Sequence, residues 1–130
     1  MHGLHITADL FDCTCGESLL TSETELRALC LAVLTEVALT PVGERFHTFP
    51  GEGGRSGGVT GMVLLAESHL ALHTWPELQA VTLDAYVCNF QSDNSSKAEA
   101  LIARLEAAFA PGRRTINHLW RAAPEAGAPP

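Results

Sequence analysis

Apolar and polar residues alternate along six short segments of the chain, and each segment ends at turn-forming residues. Alternation with a period of two is typical of strands that bury one side. Three of the segments follow one another with short connections, which favours antiparallel pairing. The predicted strands cover residues 2–10, 42–49, 59–66, 70–74, 80–88 and 115–120. The pattern therefore predicts a mainly antiparallel sheet.

Two other segments repeat their apolar residues with helical spacing. Ser22 and Glu25 form a capping box, and this box predicts a helix from about Ser22 to Ala38. Asp93 or Asn94 is placed to cap a second helix, which ends at Pro111 and Gly112. The apolar stripe of the first helix consists of Leu26, Leu29, Cys30, Val33 and Val37, and that of the second of Ala98, Leu101, Ile102, Leu105, Ala108 and Phe109. Because each stripe covers one helix face, we predict an α+β fold with two amphipathic helices on one face of the sheet.

Two segments lack either pattern. Residues 50–58 contain five glycines, a content that disfavours regular structure and predicts a loop that stays mobile until a contact orders it. Residues 122–130 are rich in Ala, Pro and Gly, which predicts a disordered tail. We expect residues 1–121 to form a single domain.

Composition narrows the class of protein. The 130-residue chain carries a formal net charge of −7 with scattered Lys and Arg, which argues against a nucleic-acid partner. The start of the chain lacks the pattern of a signal peptide, and no long apolar run is present. We therefore expect a cytoplasmic protein without a membrane partner. The small core makes pairing with a second copy a natural way to cover an exposed sheet face.

The four cysteines are expected to be thiols, because the sequence indicates a reducing compartment. Cys13 and Cys15 form a pair without a second pair at metal-ligand spacing, and Cys30 lies on the apolar stripe of the first helix. Core packing accounts for these three residues, and no metal site is predicted from them.

Most of the reactive side chains lie between Glu67 and Glu77, with Cys88 following. A serine attacks a peptide carbonyl only if the backbone is strained and a proton carrier is near. Ser68 lies where one strand ends and another begins, so a tight turn is expected there. An imidazole such as His73 transfers protons near neutral pH. Ser68 and His73 have opposite strand parity, so joint action requires a turn or bulge between them.

The same residues have other interpretations. Glu67, His69 and His73 share strand parity and would form half of a metal site, but no third or fourth ligand stands at suitable spacing. Trp75 and Pro76 are also compatible with ordinary packing before a turn.

The motifs of this region resemble those of the prokaryotic S-adenosylmethionine decarboxylase proenzymes. The resemblance spans about residues 46–88, and more weakly the whole chain. It rests on Phe46-His47-Thr48-Phe49, Gly58-Val59-Thr60-Gly61, Glu67-Ser68-His69, His73-Thr74-Trp75-Pro76-Glu77 and Cys88. The chain departs from the family between Phe49 and Gly58, where the family usually has only a few residues.

The resemblance implies that the chain cuts itself between Glu67 and Ser68. A β chain of residues 1–67 and an α chain of residues 68–130 would result, and Ser68 would become a pyruvoyl cofactor that binds substrate as a Schiff base. His73 would transfer protons during processing. Thr60 would support processing, because it stands where the family commonly has serine.

The resemblance also implies substrate contacts. Cys88 would donate the proton that replaces carbon dioxide. Phe49 would stack on adenine, Glu77 would hold the ribose hydroxyls and Trp75 would shape the pocket. The implied assembly is a homodimer arranged as an α/β/β/α sandwich.

The implied activity is conversion of S-adenosylmethionine to its decarboxylated form, the aminopropyl donor for spermidine synthesis. The departure next to Phe49 leaves a pyruvoyl-dependent arginine or ornithine decarboxylase as the alternative. A non-catalytic regulatory homologue is the third hypothesis, and the intact Ser68, His73 and Cys88 speak against it.

Overall fold

A computed structural model describes residues 2–90 and 92–121 of the chain. These residues form six strands and three α-helices, with two short 3₁₀ turns. The elements are β1 (Gly3–Phe11), α1 (Glu17–Thr21), α2 (Glu23–Glu36), β2 (Pro41–Pro50), β3 (Ser56–Leu65), β4 (Ser68–Trp75), β5 (Ala80–Cys88), α3 (Ser95–Phe109) and β6 (Arg113–Arg121). The 3₁₀ turns are Glu52–Gly54 and Pro76–Leu78. The fold is α+β, as the sequence predicts.

The six strands form one sheet in the order β2-β3-β4-β5-β1-β6. All neighbouring strands are antiparallel, which confirms the predicted pairing. The segment from β2 to β5 is a meander of consecutive hairpins. β1 lies between β5 and β6, so the N-terminal strand is an interior strand of the sheet.

The helices cover one face of this sheet. Alternate strand residues such as Ile6, Leu70 and Leu72 are fully buried beneath α2 and α3, together with Leu26 and Leu105 of those helices. We call the opposite side of the sheet the outer face. Met62 and Leu64 of β3 lie on it with 43% and 48% of their surface exposed. Within one chain, no described element packs over these two residues.

The helix boundaries follow the capping residues. Ser22 Oγ accepts a hydrogen bond from the Glu25 N–H at 3.2 Å, which satisfies one of the free amides of the first turn. α2 ends at Glu36, two residues before the predicted end, and Ala38 has a left-handed backbone with φ 63°. The short helix α1 was not predicted. Its buried Leu20 packs into the core.

The start of α3 is attached to the end of β5. Asp93 Oδ1 accepts a hydrogen bond from the Ser95 N–H at 2.9 Å, and this bond lowers the pKa of Asp93. The side chain of Asn94 donates to the carbonyl oxygen of Cys88 at 2.9 Å. The Asn94 contact joins the start of α3 to Cys88, the last residue of β5.

The glycine-rich segment is shorter as a loop than predicted. β2 continues to Pro50 and β3 begins at Ser56, and these two residues are paired. The Gly51 N–H donates to the carbonyl oxygen of Arg55 at 2.7 Å, and Gly53 and Gly54 adopt left-handed φ values of 62° and 77°. The prediction of a nine-residue loop is therefore wrong, because glycines in this conformation close a compact hairpin.

Two further expectations concern the chain as a whole. The predicted tail, residues 122–130, lies outside the described residues. In the part of the chain that the structure describes, no helix is long and apolar enough to span a membrane.

Candidate active site

The turn between β3 and β4 carries a strained residue. Leu65 and Ser68 are paired, so Ala66 and Glu67 alone form the hairpin loop. Glu67 has φ 56°, a left-handed conformation that is uncommon for residues other than glycine. The sequence predicts a tight turn at this point, and the structure confirms the turn. The peptide bond that follows Glu67 is the one that leads into Ser68.

Three side chains meet at this hairpin, and we call Glu67, Ser68 and Cys88 the hairpin cluster. Ser68 Oγ accepts a hydrogen bond from the Cys88 N–H at 3.0 Å. The Cys88 thiol lies 3.6 Å from Glu67 Oε2, a distance compatible with an S–H donor, and Cys88 is only 6% exposed. The cluster thus combines a hydroxyl, a thiol and a carboxylate beside a residue with a left-handed backbone.

A second group of predicted residues lines a cavity at the other end of β4. We call Phe49, Thr60, His73, Trp75 and Glu77 the cavity cluster. Thr60 Oγ1 lies 2.9 Å from His73 Nδ1, so the structure brings these two residues into hydrogen-bond contact. Phe49 and Trp75 are 49% and 43% exposed. The cavity has a volume of about 1060 Å³.

The position of the cavity wall depends on the buried Thr74. Its Oγ1 donates to the carbonyl oxygen of Leu20 at 2.6 Å and accepts from the Val59 N–H at 2.8 Å. A Cβ atom at Gly58 would lie 2.2 Å from the carbonyl oxygen of Thr74, so only glycine allows this close approach of β3 and β4. These contacts place α1 at the edge of the cavity.

Sequence reasoning missed part of the cavity wall. Glu17 of α1 and Glu52 and Arg55 of the glycine-rich hairpin line the cavity together with Glu77. The wall thus carries three carboxylates and one guanidinium group, and the surplus of negative charge attracts a cation. The composition of residues 50–58 was the available signal for the hairpin residues. No sequence signal marked Glu17.

The hairpin cluster and the cavity cluster are far apart within one chain. β4 pairs without interruption from Ser68 to Trp75, so no turn or bulge separates Ser68 from His73. The turn or bulge that strand parity requires between these two residues is therefore absent from β4. Five residues of a regular strand span about 16 Å, and the two side chains have opposite parity.

The metal site considered for Glu67, His69 and His73 is also ruled out. His69 and His73 are four strand residues apart, a separation of about 13 Å, so one ion cannot bind both. His69 instead contacts His5 of β1 and Asp84 of β5. Both histidine Nε2 atoms lie close to Asp84 Oδ2, at 2.8 Å for His5 and 2.9 Å for His69.

All four cysteines are free thiols, as expected. Burial raises the pKa of Cys13 to about 11, with smaller effects from Cys15 and Asp12. Burial also raises the pKa of Cys30 to about 12, with a smaller effect from Glu44. Cys13 and Cys30 therefore stay protonated at neutral pH and are poor nucleophiles. Cys88, in contrast, lies beside Glu67 and Ser68 in the hairpin cluster.

Comparison with known proteins explains why these motifs occur together. Residues 4–122 match a family model described as S-adenosylmethionine decarboxylase. The chain is 38% identical to the S-adenosylmethionine decarboxylase proenzyme of Archaeoglobus fulgidus, over 75% of this chain and 77% of that protein. The chain belongs to the S-adenosylmethionine decarboxylase family. This is the prokaryotic proenzyme family, whose members are pyruvoyl-dependent decarboxylases.

Two further members of the family bear on the fold and on the substrate. The crystal structure of the adenosylmethionine decarboxylase of Aquifex aeolicus matches with a TM-score of 0.80 and 27% identity, over 98% of this chain and 97% of that one. The arginine decarboxylase proenzyme of Aeropyrum pernix is 36% identical, over 78% of this chain and 71% of that protein. Relatives with similar identity thus carry the names of two different decarboxylases.

Proposed function

We propose that this chain is an S-adenosylmethionine decarboxylase proenzyme that cuts itself between Glu67 and Ser68. The observation that carries the proposal is the hairpin cluster, in which the left-handed Glu67 precedes a serine held beside a buried thiol. The left-handed conformation of Glu67 raises the energy of the uncut hairpin, and cutting the chain after Glu67 relieves it. The products are a β chain of residues 1–67 and an α chain of residues 68–130.

The cleavage is balanced by the groups of this chain and one water molecule. Ser68 Oγ loses its proton and attacks the carbonyl carbon of Glu67. The bond from that carbon to the Ser68 nitrogen breaks to leave an ester, and the nitrogen takes up the proton that Oγ lost. Removal of the Ser68 α-proton then expels Glu67 as a carboxylate. Water hydrolyses the remaining unsaturated residue, ammonia leaves, and a pyruvoyl group heads the α chain. His73 is the proton carrier in these steps, and Thr60 supports it.

The hairpin cluster fits the pyruvoyl group that this cleavage forms. A pyruvoyl carbonyl withdraws electrons from the substrate carbon that loses carbon dioxide. Cys88, within reach of the cut peptide bond, donates the proton that replaces carbon dioxide. The Cys88 N–H, which contacts Ser68 Oγ in the proenzyme, holds the end of β5 against the start of β4.

The cavity cluster supports S-adenosylmethionine as the substrate. Two exposed aromatic side chains, Phe49 and Trp75, offer faces for an adenine ring and for a sulfonium cation. Phe49 stacks on adenine, Trp75 shapes the pocket and Glu77 binds the ribose hydroxyls. An acidic wall also favours a positively charged ligand. Arginine would place its guanidinium group over one aromatic face but has no ring to stack on the other, so S-adenosylmethionine, with both a ring and a cation, fits the two faces better.

The distance between the two clusters supports a homodimer. The substrate α-carbon and its ribose are joined by five bonds of about 1.5 Å each, a reach of roughly 8 Å at most. Within one chain, Ser68 lies about 16 Å or more from the cavity cluster. Two copies can pack with their sheets face to face, related by a two-fold axis that lies between the sheets and runs perpendicular to the strands. This arrangement brings the cavity cluster of one copy over the hairpin cluster of the other. The two outer faces then form the centre of an α/β/β/α sandwich.

Mass spectrometry and an activity assay test the proposal. Purified protein should contain fragments of residues 1–67 and 68–130, the second headed by pyruvate. It should release labelled carbon dioxide from S-adenosylmethionine, and the product is the aminopropyl donor of spermidine synthesis. Ser68→Ala should abolish cleavage and release, whereas Ser18→Ala on the exposed side of α1 should leave both unchanged. An uncut, folded protein would refute self-processing and favour a regulatory homologue.

A pyruvoyl-dependent decarboxylase of arginine or ornithine is the second candidate. The acidic cavity wall and the Aeropyrum pernix relative favour it. The same assay distinguishes the two candidates. Release from arginine or ornithine, without release from S-adenosylmethionine, would replace the proposed substrate and leave the self-processing proposal intact.

A further inference from the structure

Four polar side chains form a continuous hydrogen-bonded chain across the outer face, from β6 to β4. We call Arg121, His5, Asp84 and His69 the face network. Arg121 Nη1 lies 2.8 Å from His5 Nδ1, and His5 Nε2 and His69 Nε2 both contact Asp84 Oδ2. His69 is the residue directly bonded to Ser68. The network therefore ends one residue from the proposed cut.

The donors and acceptors of the face network determine where the protons lie. A guanidinium group only donates hydrogen bonds, so His5 Nδ1 must accept, and His5 carries its proton on Nε2. An ionised carboxylate only accepts, so both Nε2 atoms that face Asp84 carry protons. His69 is thus held as the Nε2–H tautomer. In residues 2–90 and 92–121, its Nδ1 has no hydrogen-bond partner and remains free to accept a proton.

The same reasoning argues against a metal at this point. The three candidate ligand atoms lie within 4.8 Å of one another, close enough for one ion. A metal bound to His5 Nε2 would require a proton on Nδ1, where Arg121 already donates. A guanidinium group beside the ligand would also repel a cation. The observed contacts are those of a hydrogen-bonded network.

Packing holds the His69 ring in this orientation. The Tyr86 ring lies 6.1 Å from it with an interplanar angle of 30°. A Cβ atom at Gly3 would lie 2.7 Å from Tyr86 Oη, so glycine makes room for the tyrosine. The groups that contact His69 are Asp84 and Tyr86 of β5 and His5 of β1. Arg121 of β6 contacts His5 and the Tyr86 ring, and the β3 partner of His69, Leu64, is uncharged. His69 therefore has little freedom to reorient.

We propose that His69 accepts the proton of the substrate α-ammonium through Nδ1, and that Asp84 and His5 are positioning residues for this transfer. An ammonium nitrogen has no free electron pair, so it must lose a proton before it attacks a carbonyl carbon. The proton would move from the substrate nitrogen to His69 Nδ1. The free amine would then attack the carbonyl carbon, a second proton would pass from its nitrogen to the carbonyl oxygen, and the proton held on His69 would complete the water that leaves. This inference rests on the proposed function, because it assigns His69 a step at the pyruvoyl carbonyl.

Ring nitrogen NMR on the uncut Ser68→Ala protein tests the positioning without cofactor or substrate. At pH 8, His69 should appear as the Nε2–H tautomer, and Asp84→Asn in the same background should shift it toward a mixture of tautomers. Asp9→Asn removes an equal charge from β1, on the same outer face of the sheet, and should not change the tautomer of His69. An Nδ1–H tautomer in Ser68→Ala, or displacement of the Nε2 protons by added zinc, would overturn the proposal.

Kinetics of His69→Gln test the proton transfer. Glutamine keeps an Nε2–H donor for Asp84 but has no acceptor at the Nδ1 position. We expect the chain still to be cut, kcat/KM to fall at least ~100-fold, and the acidic limb of its pH profile to disappear. Asp84→Asn should lower kcat/KM by about tenfold, while Asp9→Asn should stay within about twofold of the unchanged protein.

Three kinetic outcomes would contradict the assignment. A His69→Gln protein with kcat/KM within about threefold of the unchanged protein would show that Nδ1 accepts no required proton. A His69→Gln protein that is folded but uncut would place His69 in processing instead. If the acidic limb of the pH profile of kcat/KM were unaltered in His69→Gln, His69 would not be the proton acceptor. Failure of the unchanged chain to cut itself would refute the proposed function. The NMR measurement on Ser68→Ala does not need cleavage, so it would still test the positioning of His69.

Discussion

The two ends of β4 differ in what they contain and in how the chain builds them. The end at Ser68 is a two-residue hairpin with a left-handed Glu67 and a buried Cys88. The end at Trp75 borders an open cavity with exposed aromatic side chains and three carboxylates. In the proposed function, one end supplies the groups that make and break bonds, and the other supplies the groups that bind the ligand. An uninterrupted strand separates the two ends, so one chain would contain both halves of the proposed site without joining them.

The strongest test of this comparison is complementation between two inactive variants. Neither Ser68→Ala nor His73→Ala should be cut when expressed alone. A mixed dimer pairs Ser68 of the His73→Ala chain with His73 of the Ser68→Ala chain. Co-expression with different tags should therefore restore cleavage, and only of the His73→Ala chain.

The control for complementation is co-expression of His73→Ala with the double variant Ser68→Ala/His73→Ala, which supplies no His73 and should yield no fragments. If His73 acts on Ser68 of its own chain, mixing the single variants will restore nothing. Gel electrophoresis with tag-specific detection distinguishes these outcomes.

Cys88→Ser should separate catalysis from processing at the hairpin end. Serine keeps the backbone N–H that contacts Ser68 Oγ, so cleavage should persist. Loss of the thiol proton donor should lower kcat by about 10²-fold or more. Fragment masses and the rate of carbon dioxide release provide the two measurements.

Cys15→Ser is the matched control for this prediction, because Cys15 is a partly exposed thiol outside both clusters. It should change neither fragment masses nor kcat. A Cys88→Ser protein with unchanged kcat would remove Cys88 from the proton-donating step.

Glu77→Gln should affect binding at the cavity end and spare the hairpin end. The loss of charge-assisted hydrogen bonds to a ligand costs about 1.5–3 kcal/mol, so KM should rise roughly tenfold to a hundredfold. Cleavage and kcat should change little. Glu52→Gln on the glycine-rich hairpin is the control, because it also removes one carboxylate from the cavity wall. If KM rose equally in Glu52→Gln, the effect of Glu77→Gln would come from the loss of charge alone.

Thr60→Val should have the smallest effect of the four. It removes the hydroxyl that contacts His73 Nδ1 while keeping the β-branched shape, so cleavage should slow by about tenfold. Thr60→Ser restores the hydroxyl and should restore the rate. Equal cleavage rates in Thr60→Val and the unchanged chain would show that His73 needs no partner at Nδ1.

Local patterns predicted most of the elements. The capping box at Ser22 and Glu25 located the start of α2, and alternation located all six strands within a few residues, because capping and side-chain direction are set by neighbouring residues. The helix α1 and the extent of the glycine-rich hairpin were missed. The position of α1 depends on a contact with a distant residue, the hydrogen bond from Thr74 to Leu20. The extent of the hairpin depends on the left-handed conformation of Gly53 and Gly54, which glycine content alone does not assign to particular positions.

The site was predicted less evenly. The residues of the hairpin and cavity clusters were named from their motifs, and the turn at Glu67 from the strand boundary. The prediction of a turn or bulge between Ser68 and His73 was wrong, because β4 pairs with β3 on one side and β5 on the other and stays regular. The face network was missed, because His5, Asp84 and Arg121 are distant in sequence.

The sequence by itself determined most of the secondary structure and the antiparallel pairing, because these depend on composition and on spacing within short segments. It named the candidate reactive residues through the resemblance of their motifs to a known family. Only the tertiary structure decided which reactive residues are neighbours. Strand order brought His5, Asp84 and Arg121 to His69, and the unbroken β4 kept Ser68 away from His73. The physical reason is that a strand fixes distance along its own axis, whereas contacts across the sheet depend on which strands pair.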